Sequence, residues 1–114
     1  MRPLAGAPFD IEVSVHDAEV TVRLQGELDF TSADILDSAT SQVADQDAVH
    51  LVLDFEDLTF LDSEGVKVII HLWRKVKKAN GTLEIVSCRP DVGRVFEILG
   101  FSEQLCVRVA DVPN

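Results

Sequence analysis

LVLDFEDLTFLDSEGVKVIIHLWRKVKKA, residues Leu51–Ala79, decides the fold. Leu51–Phe55 is a short apolar run with Asp54 near its end, the pattern of a buried strand. Glu56–Asp62 reads as a loop from which Leu58, Phe60 and Leu61 tuck inward. Ser63–Ala79 reads as a helix. Val66, Ile69, Ile70, Trp73 and Val76 recur on one of its faces, with Lys67, His71, Arg74, Lys75 and Lys78 largely opposite. Asp62 or Ser63 is the natural N-cap, since either side chain can accept from the free N–H groups of the first turn. A strand, a loop and a serine at a helix start place a hydroxyl at the carboxyl end of a sheet, on the positive end of a helix dipole. Open α/β sheets build their sites at that edge.

The elements on either side follow from the same periodicities. Phe9, Ile11, Val13 and Val15 alternate with Asp10, Glu12, Ser14 and His16. Val20, Val22 and Leu24 alternate with Thr21, Arg23 and Gln25. These are two half-buried strands joined by a short link, hence an antiparallel hairpin. Gly26–Asp29 leads to a helix capped by Thr31 or Ser32, with Asp34 completing a T-x-x-D pattern and Ile35, Leu36, Ala39 and Val43 as its apolar stripe. Asn80-Gly81 stops the central helix. Leu83–Val86 is a further buried strand. Pro90 opens a third helix with the stripe Val92, Val95, Phe96 and Leu99, ended by Gly100 at C′ with Phe101 as its hydrophobic contact. Leu105, Val107 and Val109 alternate as a last edge strand. The order β-β-α-β-α-β-α-β implies an α/β fold: a mixed sheet with an N-terminal hairpin and helices packed mainly on one face. Residues 1–8 read as a flexible arm and 9–114 as one domain.

Bulk composition excludes several functions. At 46% hydrophobic and 26% charged, the 114-residue chain is globular rather than disordered. A formal net charge of -10 lacks the basic footprint that nucleic acid requires, and it disfavours an anionic membrane surface. No apolar run approaches a membrane span, and MRPLAGAPFD has no signal-peptide core, so a cytoplasmic location is expected. Ser63 and His71 stand eight residues apart on one helix, about 12 Å at the helical rise, so they cannot form a nucleophile–base pair. No phosphate-binding glycine loop or nucleophile elbow occurs, so no enzymatic activity and no cofactor are expected. Asp29, Asp54 and Asp62 do not form a converging ligand set, and no metal is expected. Five of the ten basic residues, Lys67, Arg74, Lys75, Lys77 and Lys78, lie in the central helix. The dipole accounts for the last four, but not for Lys67 in the first turns. Cys88 and Cys106 are two small buried hydrophobes, or a redox pair if their strands are neighbours.

DLTFLDSEGVKVII resembles the D-S-x-G segment of STAS-domain proteins, the bacterial anti-sigma factor antagonists. GELDFTSAD, at Gly26–Asp34, is similar to the family's other hallmark segment. The likeness runs from about Phe9 to Val109. It implies the STAS fold and a protein-interaction function. The unphosphorylated domain would bind an anti-sigma factor and free a sigma factor. Phosphorylation of Ser63 by the kinase activity of that partner would release it, and a serine phosphatase would reset it. ATP would belong to the kinase. The resemblance places Asp29 beside Ser63 and, with Asp62, Glu64, Gly65 and Lys67, on the partner-binding patch. Glu64 stands where the family commonly carries a small hydroxyl residue, and Lys67 where a small residue is frequent. Two alternatives stay open. One is a STAS scaffold without a switch, in a lipid-transport ATPase or a stress-signalling assembly. The other is an interaction module regulated through Cys88 and Cys106.

Overall fold

Alternation and helical spacing translate into eight elements in the expected order. The computed structural model describes residues 8–105 and 107–109. The elements are β1 (Asp10–His16), β2 (Glu19–Leu28), α1 (Ala33–Ala44), β3 (His50–Leu61), α2 (Ser63–Lys78), β4 (Thr82–Cys88), α3 (Pro90–Ile98) and β5 (Val107–Val109). They build one five-stranded sheet in the order β1-β2-β3-β4-β5. β1 and β2 pair antiparallel, and every other neighbouring pair is parallel. The expected arm falls, apart from Pro8, outside the described residues, and so does Cys106.

The period-two pattern sorts the sheet into two unlike faces. Val20, Val22 and Leu24 of β2, Leu51, Leu53 and Phe55 of β3, and Leu83 and Ile85 of β4 are all buried. The helices seal this face with Leu36, Val66, Ile69, Leu72, Val76, Val92 and Phe96. The residues between them point to the other face, which no helix covers among the described residues. It carries ion pairs instead: Arg23 with Asp54 (3.4 Å), and Glu84 with His50 (3.0 Å) and Arg108 (3.6 Å).

Several local expectations are corrected. β3 does not end at Phe55. It runs on to Leu61, paired with β2 through two register slips, Arg23/Gln25 and Gly26/Glu27. The segment read as a loop is therefore strand, and Phe60 points outward, 47% exposed, while Leu58 and Leu61 are buried. The seam of α2 runs through Gly65, Val66, Ile69, Leu72 and Val76, so Leu72 takes the central place and Ile70 and Trp73 pack only half-buried at its margin. On α1 the buried face is Leu36, Thr40 and Ala44, with Val43 half-buried and Ile35 exposed. Thr40 serves inside because its hydroxyl donates back to the Leu36 carbonyl at 2.7 Å. On α3, Val92, Gly93 and Phe96 are buried, whereas Leu99 is half-exposed to solvent at 51%. β1 is more exposed than a half-buried strand: Val13 and Val15 remain 41% and 66% accessible.

The helix stops behave as their chemistry requires. Asn80 takes the left-handed conformation (φ 64) and Gly81 N–H closes on the Val76 carbonyl at 2.8 Å. Gly81 is needed for space: a Cβ there would meet the Val49 carbonyl at 2.5 Å. Gly100 (φ 77) ends α3, and Phe101 N–H reaches the Phe96 carbonyl at 2.8 Å, with the Phe101 ring packed on the core.

Candidate functional site

Three segments meet at the carboxyl end of the central strands: the end of β3, the start of α2 and the β2–α1 loop. Asp62 joins them. It has extended backbone (ψ −176), as an N-cap must, and its Oδ1 accepts from Gly65 N–H at 2.9 Å. Its Oδ2 accepts from Phe30 N–H at 3.3 Å, and its own N–H donates to the Leu28 carbonyl at 3.2 Å. Of the two candidate caps, Asp62 is therefore the one used, and Ser63 becomes the first helical residue.

Ser63 is exposed, and its hydroxyl has no hydrogen-bond partner among the described residues. It sits on the first turn of a sixteen-residue helix, where free N–H groups and the helix dipole favour an added anion. Glu64, next along, is tied to Lys67 by a 3.0 Å ion pair one turn on. That pair gives Lys67 a local role that the dipole does not supply. Both groups are well exposed, so the pair is worth a fraction of a kcal/mol, ~0.3–0.5.

Gly65 fixes how closely the helix approaches the sheet. A Cβ at this position would lie 2.5 Å from the Leu28 carbonyl and 2.7 Å from Leu61 Cδ1. Only a glycine lets α2 begin this tightly over the ends of β2 and β3.

The β2–α1 loop is organised by Asp29. Its Oδ1 accepts from both the hydroxyl and the N–H of Thr31, the latter at 2.9 Å. These bonds, the Thr31 hydroxyl foremost, hold the Asp29 carboxyl below the usual carboxylate range. Ser32 does not cap α1 with its side chain. Its buried hydroxyl accepts from Asp29 N–H at 2.9 Å and donates to the Glu27 carbonyl at 2.7 Å, locking the loop from beneath. Asp29 and Ser63 thus stand on two segments tied together through the Asp62–Phe30 bond.

The periphery of this patch is more apolar than the sequence pattern implies. Phe30 is 73% exposed, and Ile35 and Phe60 are each 47% exposed. Local period assigns Ile35 and Phe60 inward; the register slips in β3 and the rotation of α1 turn them out. Phe30 carries one signal in the sequence: a large aromatic between two residues committed to a loop. Beside it, a shallow groove between α1 and α2 is lined by Ala33, Asp34, Asp37, Glu64, Lys67, Val68 and His71. The arrangement is a flat, acidic surface with aromatic relief, suited to protein contact.

Cys88 takes no part in this patch. It ends β4, fully buried against α3. Burial, with the Asp91 carboxylate adding to it, pushes its thiol up to about 12. Among the described residues no three His, Cys, Asp or Glu side chains gather closely enough to hold a metal ion, and no helix is long and apolar enough to cross a membrane.

The STAS domain family model matches residues 10–112. The chain is 29% identical over 93 residues to the anti-sigma F factor antagonist of Paenibacillus polymyxa, covering 81% of this chain and 80% of that one. Its fold superposes on the crystal structure of an anti-sigma factor antagonist from Mycobacterium paratuberculosis with a TM-score of 0.78, at 25% identity, over 89% of this chain and 86% of that one. It also matches the anti-sigma factor antagonist SpoIIAA of Bacillus in two forms. The unphosphorylated form gives a TM-score of 0.69 at 27% identity (92% and 89% covered), the phosphorylated form 0.66 at 26% (92% of each). With nearly its whole length matched and its sheet order, helix placement and α2 entry laid out as above, the chain belongs to the STAS domain family.

Proposed function

We propose that this protein is a cytoplasmic anti-sigma factor antagonist whose patch around the start of α2 binds an anti-sigma factor, and whose affinity is switched by phosphorylation of Ser63. The observation that carries the reading is the free, exposed Ser63 hydroxyl on the first turn of α2, with Asp62 performing the capping in its place. A serine released from structural duty can be modified without unfolding the domain. The relatives named as antagonists, and a relative with a phosphorylated form, support the same assignment.

The mechanism is electrostatic. Asp62, Glu64, Asp34 and Asp37 already make the surface acidic. A phosphate adds about −1.5 to −2 charges. The helix terminus accommodates this within the domain, but a partner packed over Ser63 would have to desolvate it or meet it with like charge, a cost of several kcal/mol. The partner's kinase activity would set the switch and a serine phosphatase would reset it. Asp29, Asp62, Glu64 and Lys67 form the docking surface, with Phe30 and Phe60 as apolar anchors; Gly65, expected on that surface, is instead buried against Leu28 and Leu61 and shapes it from beneath.

Glu64 beside the target hydroxyl favours a second reading, a STAS scaffold that binds its partner without a switch. The buried Cys88 thiol, with its raised pKa, weighs against redox control. One experiment separates the first two. Binding of the cognate anti-sigma factor is measured for the wild type, Ser63→Ala and Ser63→Asp, together with incorporation of labelled phosphate. Ser63→Ala should keep its affinity and take no label, and Ser63→Asp should bind at least ~10-fold more weakly, about 1.4 kcal/mol. Equal affinities with label absent or elsewhere would leave the scaffold.

A further inference from the structure

β1 is the outer strand of the sheet, and among the described residues nothing pairs with its free side. It is joined to β2 by the two-residue turn Asp17-Ala18, closed by the pair His16↔Glu19. In a two-residue hairpin the closing pair is a hydrogen-bonded one, and such pairs then alternate. His16, Ser14, Glu12 and Asp10 therefore direct their backbone groups to β2. Ile11, Val13 and Val15 direct theirs outward. The same three residues stand opposite Leu24, Val22 and Val20, so their side chains lie on the helix-covered face of the sheet, one strand beyond the cover. Val13 and Val15 are accordingly 41% and 66% exposed. An unpaired edge and an apolar row coincide on one strand, the combination that templates strand addition.

From this juxtaposition we infer that β1 pairs antiparallel with β1 of a second copy, about a two-fold axis through Val13, to give a continuous ten-stranded sheet. The strand reads Asp10-Ile11-Glu12-Val13-Ser14-Val15-His16. About that axis Val13 faces Val13′, Ile11 faces Val15′ and Asp10 faces His16′. All three outward-directed residues meet an outward-directed residue, each pair exchanging two N–H···O=C bonds. Every apolar side chain lands beside an apolar one, and at the strand ends the Asp10 carboxylate meets the His16′ imidazole, whose ring N–H can donate to it.

The neighbouring registers are worse for identifiable reasons. Centring the axis on Glu12 sets Glu12 against Glu12′, a directly opposed like-charge pair. Centring it on Ser14 sets Ile11 against Asp17′ in the turn and leaves fewer paired residues. The register centred on Val13 therefore pairs the most residues of the strand without opposing like charges. The interface is a single strand wide and each copy carries a net charge of -10, so association is weak. The Ser63 patch lies at the carboxyl ends of β2 and β3 and is not consumed by this contact.

Sedimentation equilibrium of the full chain over about 10 µM to 1 mM tests it. The wild type should show a monomer–dimer equilibrium. Val13→Lys should be monomeric throughout, with unchanged melting, because Val13 sits outside the sealed core. His16→Asp, which sets a second carboxylate against Asp10 at both ends of the paired strands, should weaken the dimer at least ~10-fold, and Asp10→Arg combined with His16→Asp should restore it. Should the charge variants fold poorly, Val13→Cys provides the second measurement: mild oxidation should join the two introduced thiols across the two-fold axis, identified by peptide mapping. A wild type that stays monomeric at 1 mM, a dimer indifferent to Val13→Lys, or a Val13→Cys variant that forms no symmetric bridge would each overturn the proposal.

Discussion

Asp62 holds more of the site than any other single residue. Its two carboxylate oxygens serve different segments, one the first turn of α2 and the other the loop that carries Asp29 and Phe30. Asp62→Ala should therefore lose a helix cap and also release the loop. The expected loss is about 1–2 kcal/mol, the upper part of the range for caps. It should appear as a lower urea midpoint with an unchanged slope. Ser63→Ala, which removes a hydroxyl with no bond to lose, should leave the midpoint within ~0.5 kcal/mol. A comparable loss in both variants would mean that the two residues share the cap. That one of these two residues caps the helix was legible in the sequence. Which one was not, because both side chains can reach the same N–H groups and only the backbone path out of β3 decides.

At the level of elements, α2 shows where local pattern stops being sufficient. Its existence and boundaries follow from helical spacing between an Asp-Ser start and an Asn-Gly stop. Its rotation does not. Ile70 and Trp73 fit the stripe as well as Leu72 does, and the choice is made by where Gly65 lets the helix begin over Leu28 and Leu61. The consequence is a reversal of weight between two adjacent residues. Leu72→Ala should cost roughly 2–5 kcal/mol, the range for a fully buried leucine. Trp73→Ala should cost about half of the 3–5 kcal/mol typical of a core aromatic, because it is only partly buried at the margin of the seam. Denaturation that finds Trp73→Ala the more damaging would put the seam back on the side the sequence suggests. β3 illustrates the same limit. Glu56 and Asp57 break its apolar run and read as loop, yet β2 continues alongside, passes Glu56 in one slip, and pairs with Asp57, Leu58, Phe60 and Leu61. Pairing at a sequence distance of more than thirty residues leaves no trace in a window of ten.

Across the whole molecule, one buried titratable group couples stability to alkaline pH. The Cys88 thiol, ordinarily near 9.0, is pushed up to about 12 in the folded chain. The folded state therefore holds its proton where the unfolded state has lost it. Stability from this source is fully present below pH 9 and declines as pH rises from about 9 towards 12, by at most roughly 1.4 kcal/mol per pH unit. Cys88→Ala should flatten that slope, read from denaturation midpoints between pH 8 and about 10.5. In the wild type Cys88 should stay unreactive to thiol reagents until denaturant is added, identified by peptide mapping; fast labelling of the folded chain would show an open path to it. The fold class, the sheet's mixed character and the acidic surface around Ser63 were all readable from composition, alternation and two short segments. The apolar border of that surface was not, since Phe30, Ile35 and Phe60 are turned outward by packing between elements.

The placement of Ser63 also limits what could ever modify it. Its hydroxyl stands at N1 of a rigid helix, whose entry depends on Asp62 reaching Gly65 and Phe30 and on Gly65 lying against the ends of two strands. None of that geometry exists in a peptide bearing the same letters. A kinase that docks on this patch, as the proposed partner does, would grip a three-dimensional shape rather than an extended stretch of chain threaded through a cleft. On the switch proposed above, such a mark would certify that the molecule beneath is intact.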